Sequence, residues 1–201
     1  MIDLYTFTTP NGRKPAIMLE EVGLSYNIHK IDITKGEQFT PEFIEINPNS
    51  KIPAIIDHET EITVFESGAI LIYLAEKTNR FMPSDLAGRT KVIEWVMFQM
   101  ASVGPMMGQL NHFKRFAPEK IPYAIERYEK EVYRIFSVLE SQLQNQNYLT
   151  GDYSIADIAT YPWVAAYTFA HLTLDNHPYL KRWTERVGER SAVQKGMAIL
   201  Q

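Results

Sequence analysis

The stretch that most limits what this chain can fold into runs over residues 49–75, NSKIPAIIDHETEITVFESGAILIYLA. A Lys-Ile-Pro step leads into an apolar strand over 53–57, a short polar turn follows, and a second strand over 62–65 returns beside the first. Glu66-Ser67-Gly68 then opens a helix on which Ile70, Leu71 and Leu74 recur at helical spacing. A hairpin running straight into a helix places this segment in an α/β unit. Pro53 has no N–H to give to a ladder, which confines it to a strand start or to a place where the neighbouring backbone faces a ligand. Ile52 is thereby left to pair with something outside the sheet. Ser67 at the N-cap, the open N–H groups of the helix start and the adjacent Glu66 offer donors for a carboxylate and charge for an ammonium, the two ends of an α-amino acid.

The residues ahead of this stretch fit the same unit. Residues 2–7 are strand formers that stop at Thr8-Thr9-Pro10-Asn11-Gly12, a cluster of turn formers. A helix carrying Ile17, Leu19, Val22 and Leu24 follows, and residues 26–33 alternate as a second strand, giving a right-handed βαβ unit. A polar segment with Gly36, Glu37 and Gln38, then a short helix begun by Pro41, connects to the hairpin. βαβ followed by ββα is the thioredoxin-like order. The turn at Thr9 to Asn11 ends a strand and begins a helix, where α/β sheets commonly bind ligands. A hydroxyl, an amide and helix-end N–H groups there can donate hydrogen bonds to a thiolate and lower a thiol pKa without a general base. The same residues also make an ordinary turn and cap.

Residues 79–85, NRFMPSD, form a turn-rich connection, and beyond it strand signals almost disappear. The expected domains are 1–78 and an all-helical 87–201, joined by a linker over 79–86. A long helix is expected over 88–116, with Val92, Trp95, Val96 and Gln99 at helical spacing and a bend at Gly104-Pro105. Met97, Met100, Met106 and Met107 serve there either as core or as the lining of a pocket for an apolar substrate. A second long helix is expected over 123–144, with Ile125, Val132, Ile135, Phe136, Leu139 and Leu143 as its apolar stripe and Arg127 off it. Ser154-Ile155-Ala156-Asp157 reads as a capping box leading into a helix over 158–170, its carboxylate satisfying helix-end donors and not acting in catalysis. A helix begun by His177-Pro178 and another over 192–200 close the chain.

Composition excludes several functions. With 20 Lys and Arg against 24 Asp and Glu, the net charge of -4 draws the protein as a whole to neither nucleic acid nor an anionic membrane. No apolar run approaches the ~20 residues of a membrane span and no basic-then-apolar leader opens the chain, so a cytoplasmic protein is expected. The chain has no cysteine, which rules out disulfides, thiolate metal sites and a protein thiol nucleophile. Any sulfur chemistry must use a ligand's sulfur. His112 and the Lys114-Arg115 pair carry no ligand spacing, and no metal site is expected.

Lys51-Ile52-Pro53-Ala54, Phe65-Glu66-Ser67-Gly68-Ala69-Ile70 and Ser154-Ile155-Ala156-Asp157, in this order and in a chain of this size, resemble the cytosolic glutathione transferases. The similarity runs through essentially the whole chain and is greatest to the bacterial nu class, the glutathione-dependent disulfide-bond oxidoreductases. The resemblance implies an α/β plus all-α fold, with an N-terminal thioredoxin-like βαβ-ββα domain followed by an all-helical glutathione transferase C-terminal domain. It also implies glutathione as co-substrate and no metal. By the same resemblance Thr9 and Asn11 lie near the glutathione sulfur, Gln38 binds the glycyl end and Lys51 aids a carboxylate. Ile52 would offer its backbone to the cysteinyl part, with Pro53 cis, and Glu66 and Ser67 would hold the γ-glutamyl group. Arg127, in Ile125-Glu126-Arg127-Tyr128, would reach the glutathione carboxylates across the interface of a homodimer. Read without the family, Gln38 is an exposed loop residue, Lys51 a solvated lysine and Arg127 a surface arginine. The implied activity is glutathione-dependent reduction of small disulfides, through glutathione or glutathione disulfide in the site, with conjugation to electrophiles and organic peroxide reduction as side activities. A conventional transferase acting on electrophiles and a non-catalytic binding module of the same fold are the alternatives.

Overall fold

The structure, a computed structural model, describes residues 1–200 and divides into two compact units, Met1–Met82 together with the chain from Glu189 onward, and Pro83–Gly188. The first unit opens with strand β1 (Ile2–Thr6), helix α1 (Pro10–Val22) and strand β2 (Tyr26–Lys30). A 3-10 turn (Glu37–Phe39) and helix α2 (Pro41–Ile46) lead to strands β3 (Ala54–Asp57) and β4 (Ile62–Phe65) and to helix α3 (Ser67–Thr78). The sheet order is β2-β1-β3-β4, with β1 parallel to β2 and antiparallel to β3, and β3 antiparallel to β4. This is the thioredoxin-like arrangement expected from the sequence.

Alternate residues of β1 (Ile2, Leu4 and Thr6) are buried, as the two-residue period of a strand requires. Ala16, Ile17 and Leu19 of α1 and Ile70, Leu71 and Leu74 of α3 are fully buried in the same core. β2 stops at Lys30, short of the expected residue 33. Asp32 draws the chain into a turn there, its Oδ1 accepting from the Thr34 N–H at 3.1 Å and from the Thr34 hydroxyl at 2.6 Å.

The second unit is all helical among the described residues, apart from one isolated bridge between Thr150 and Asp152. Helix α4 (Leu86–Phe98), a π turn (Gln99–Val103), helix α5 (Gly104–Asn111) and a second π turn (His112–Phe116) form one continuous helical stretch. The irregularity expected at Gly104-Pro105 takes the form of the first π turn, just ahead of the proline, and Gly104 keeps helical angles (φ -62°, ψ -55°). A proline ring crowds the carbonyl four residues back and donates nothing to it, so the ladder loosens on that side. Helix α6 (Pro122–Leu143) buries Val132, Ile135, Phe136, Leu139 and Leu143, while Ile125 is half-buried. Helix α7 (Ile155–Val164) stops before the expected residue 170, where a 3-10 turn (Tyr167–Ala170) takes over, and helix α8 (Pro178–Gly188) follows.

The capping box at the start of α7 is present in full. The Asp157 carboxylate accepts from the N–H of Ser154 at 3.0 Å, from the N–H of Leu149 at 3.0 Å and from the Trp183 indole at 2.8 Å. It is a buried anchor for three segments of this unit.

Helix α9 (Ser191–Met197) belongs to the first unit, where the sequence had suggested that residues 87–201 stay together. It packs on α1 with Gly196 against Ile17, so close that a Cβ on Gly196 would stand 2.5 Å from the Ile17 nitrogen. Arg190 adds a two-pronged ion pair with Glu21 at 2.6 and 2.8 Å. The helical pattern foretells the element but not the neighbour its face meets. Among the described residues, no helix is long and apolar enough to cross a membrane.

Candidate functional site

Strand register brings the sequence-predicted residues of the first unit to one end of its sheet. Tyr5 near the end of β1 lies opposite Ala54 at the start of β3, and Ala54 lies opposite Phe65 at the end of β4. The segments that continue from these positions, Thr9 to Asn11, Ile52-Pro53 and Glu66-Ser67, therefore leave the sheet at the same edge. β2 runs parallel to β1, with Lys30 beside Thr6, so the chain toward Gln38 leaves at that end too.

At the start of α1, Thr9 is the N-cap and its hydroxyl accepts from the Gly12 N–H at 3.1 Å. Pro10 occupies the first helical position, where no N–H is needed. The turn is thus a true helix cap, and that leaves chemistry in hand: a hydroxyl that accepts one hydrogen bond keeps its proton to donate. Asn11, half-buried, stands beside it. Gly12 holds this turn against the end of β1, because a Cβ there would lie 2.1 Å from the Phe7 carbonyl oxygen and 2.5 Å from Thr6 Oγ1. The Thr6 hydroxyl donates to the Gly12 carbonyl at 2.9 Å, which pins the contact.

The loop ahead of β3 is organised by Asn47, a residue that sequence reading passed over. It is buried at the C-cap of α2; its Oδ1 accepts from the Asn49 N–H at 2.9 Å and its Nδ2 donates to the Lys51 carbonyl at 2.6 Å. Lys51 holds its side chain in the open. The Ile52–Pro53 peptide is cis. Neither the N–H nor the C=O of Ile52 is hydrogen-bonded among the described residues, since pairing with β1 starts at Ala54. Gln38 sits in the 3-10 turn with its Oε1 buried and without a partner among the described residues. An unpaired buried acceptor of this kind destabilises by about 1–3 kcal/mol until a donor reaches it.

Helix α3 starts one residue earlier than the sequence suggested. Glu66 takes the N-cap position at φ 70°, ψ 116°, Ser67 is the first helical residue, and no side chain caps the helix. A residue with a side chain held at such a φ stores about 1–3 kcal/mol of strain. The Glu66 carboxylate is exposed, 3.5 Å from Asn49 Nδ2, and the Ile70 N–H returns to the Glu66 carbonyl at 2.9 Å. The Ser67 hydroxyl points into the core, where Lys14 Nζ donates to it at 3.2 Å.

Lys14 is the main residue that sequence reasoning missed. It is fully buried on α1, three positions after Asn11, and burial pushes its ammonium down to about 7 while the Glu66 charge pulls it back up. Its signal was positional: it lies at i–3 and i–4 from Ile17 and Met18, on the buried face of the helix.

Arg127 lies in the second unit, exposed on α6. Arg134 is paired with Glu131 at 2.8 and 2.7 Å and Lys130 with Glu126, whereas Arg127 makes no hydrogen bond or ion pair among the described residues. It lines a groove of about 720 Å³ with Met106, Tyr123, Tyr128, Glu131 and Arg134. Of the four methionines in this region, Met106 lines that groove and Met107 is fully buried. No group of three or more His, Asp or Glu side chains is placed to hold a metal ion among the described residues.

Comparison with known proteins matches residues 1–76 to the family "Glutathione S-transferase, N-terminal domain" and residues 104–191 to "Glutathione S-transferase, C-terminal domain". The disulfide-bond oxidoreductase YfcG of Escherichia coli is 48% identical over 206 residues, spanning 100% of this chain and 95% of that protein. The chain belongs to the glutathione S-transferase family. A second Escherichia coli relative of this transferase, the disulfide-bond oxidoreductase YghU, is 42% identical over 98% of the chain and 74% of its own length. Among solved structures, a Burkholderia graminis glutathione transferase with two glutathione molecules bound per subunit is 43% identical, with a TM-score of 0.93 over 100% of this chain and 88% of that one. A Pseudomonas putida transferase with one glutathione disulfide bound per subunit is 39% identical, also at a TM-score of 0.93, over 100% and 92% of the two chains.

Proposed function

We propose that this transferase is a cytoplasmic, homodimeric, glutathione-dependent disulfide-bond reductase that works without a protein thiol. The observation that carries this reading is the unpaired backbone of Ile52 beside cis Pro53, at the sheet end where Thr9, Asn11, Gln38, Glu66 and Ser67 also emerge, in a chain without cysteine. A γ-glutamyl-cysteinyl-glycine peptide fits that set. Its cysteinyl N–H and C=O complete Ile52, its γ-glutamyl ends meet Glu66 and Ser67, and its glycyl end meets Gln38, with Lys51 near a carboxylate. The relatives named as disulfide-bond oxidoreductases, at 48% and 42% identity, support the choice of reaction.

The chemistry follows from two thiol–disulfide exchanges. Donation from the Thr9 hydroxyl and the Asn11 amide holds the glutathione sulfur as thiolate. That thiolate attacks one sulfur of the substrate disulfide; a glutathione–substrate mixed disulfide forms and one substrate thiolate leaves and takes up a proton. A second glutathione thiolate attacks the glutathione sulfur of the mixed disulfide, releasing the other substrate thiol and glutathione disulfide. The protein contributes position and charge stabilisation, and no bond to itself. Two glutathiones per subunit, as bound in the Burkholderia graminis relative, is the stoichiometry such a route needs.

The test is glutathione-dependent reduction of hydroxyethyl disulfide beside conjugation of chlorodinitrobenzene. Disulfide turnover is expected to exceed conjugation and to fall ~10–100-fold in Asn11→Ala, whose melting temperature should stay near wild type. Thr9→Ala should lose comparable turnover together with about 1 kcal/mol of stability, because Thr9 is also the N-cap. Faster conjugation than disulfide reduction would make the protein a conventional transferase, and silence in both assays a binding module.

Arg127 is assigned to the glutathione carboxylates of the partner subunit, a task that suits an exposed guanidinium without an ion pair of its own. Arg127→Ala is expected to raise the KM for glutathione about 10-fold, with the dimer mass unchanged in sedimentation. An unaltered KM would remove the contact across subunits from the scheme.

A further inference from the structure

We infer that Arg13 is a specificity-determining residue of the disulfide site: its unpaired guanidinium, one helical turn beyond Thr9, receives a carboxylate of the incoming disulfide. The preferred substrates are then small disulfides that bear a carboxylate close to sulfur. The inference rests on the disulfide-reductase reading above and deepens it by naming the substrate class.

The helix itself places the residue. The Arg13 N–H donates to the Thr9 carbonyl at 3.1 Å, closing the first turn of α1. Residues four apart stand above one another on a helix and their side chains lean toward its N-terminus, so Arg13 is directed back over the turn that begins at Thr9. Arg13 is half-buried, and its Nε is closed off from solvent with no hydrogen-bond partner among the described residues. The glutamates of its own helix answer other groups: Glu20 accepts from the Tyr26 hydroxyl at 2.9 Å and lies 3.7 Å from Lys195, and Glu21 holds Arg190. Elsewhere in this unit Lys30 and Lys35 share Asp32, and Lys77 meets Asp57 and Glu59. Arg13 has no such carboxylate among the described residues. Burial draws its guanidinium below the ordinary arginine value, but an arginine keeps its charge in proteins. A cation partly stripped of water and left without a partner is destabilising until an anion reaches it. The planar fork of a guanidinium suits a carboxylate, which it meets with two parallel hydrogen bonds. Thr9 and Asn11 hold the attacking sulfur in the reading above, so an anion gripped one turn along α1 belongs to the molecule under attack, whose disulfide must approach that sulfur. The exchange is unchanged, and Arg13 takes no part in making or breaking a bond.

Three disulfides of different charge test this: dithiodiglycolate, which is anionic, hydroxyethyl disulfide, which is neutral, and cystamine, which is cationic. The quantity read is kcat/KM for each disulfide at saturating glutathione, divided by the rate constant of its uncatalysed exchange with glutathione, which removes intrinsic reactivity. Wild type is expected to rank dithiodiglycolate first and cystamine last. Arg13→Met keeps the apolar stem and removes the fork. In it the ratio of dithiodiglycolate to hydroxyethyl disulfide should fall about 10–30-fold, and the ratio of cystamine to hydroxyethyl disulfide should rise. Arg13→Gln should do the same and carries the test if the Met variant does not fold, whereas Arg13→Lys, a charge without the fork, should recover part of the preference. A wild type that favours hydroxyethyl disulfide, or a folded Met or Gln variant that slows all three disulfides equally or none of them, would overturn the assignment and leave the disulfide-reductase reading standing. A wild type inactive on all three would overturn that reading and this inference together.

Discussion

Replacing Asp157 with alanine is expected to lower the stability of the protein by about 3–5 kcal/mol, read as a shift of the urea midpoint, without raising the KM for glutathione in the fraction that folds. The carboxylate is fully buried and accepts from four donors: the N–H groups of Leu149 and Ser154, the Trp183 indole and the Ser154 hydroxyl at 3.3 Å. Burial pushes its carboxyl up to about 6, against the pull of those donors. Removing the carboxylate abolishes the capping box, worth about 1 kcal/mol, and strands three buried N–H donors, each costing roughly 1–3 kcal/mol before relaxation or an entering water recovers part of it. Asp157→Asn is the sharper control. It keeps the shape but sets an NH2 group against donors on one side, so it too should destabilise, by about 2 kcal/mol. A loss below about 1 kcal/mol in the alanine variant would mean that the three segments are held together by their apolar packing alone.

Gly12→Ala is expected to reduce disulfide turnover about 100-fold and to lower stability by about 2–3 kcal/mol. Two effects of opposite sign meet at this position. Gly12 lies inside α1, where alanine is the better helix former by about 1 kcal/mol, so propensity alone favours the substitution. Against this, the new Cβ would stand 2.1 Å from the Phe7 carbonyl oxygen, a backbone atom that cannot swing aside, and 2.5 Å from Thr6 Oγ1. The steric term is the larger, and relieving it moves the turn that carries Thr9 and Asn11 away from β1. Circular dichroism melts with the hydroxyethyl disulfide assay decide the matter. A variant that melts at or above wild type with full turnover would show that the turn can shift without consequence.

Much of this molecule is legible in its residues because the physics involved is local. The run of strand formers over residues 2–7, the helical spacing of Ile70, Leu71 and Leu74 and the turn chemistry of Thr9 to Gly12 give the thioredoxin-like order directly. Ser154 and Asp157 announce the capping box because its partners lie three residues apart. Pro53 foretells an unpaired Ile52 because a missing N–H is a covalent fact. Ser67 illustrates where such reading ends. Next to a helix start a serine is the natural N-cap, yet here its hydroxyl meets a lysine 53 positions away, and Glu66 takes the cap position at a strained φ.

Residue types and short spacings therefore determined most of the strands and helices and the lack of a protein thiol. Tertiary structure alone decided that Lys14 is buried against Ser67, that Asn47 ties down Lys51, that Gly12 touches Phe7 and that the final helix rests on α1. The division has one physical cause: backbone preference and capping depend on neighbours within a few residues, whereas burial depends on which distant face closes over a side chain. A lysine on a helix reads as solvated until the chain folds and covers it.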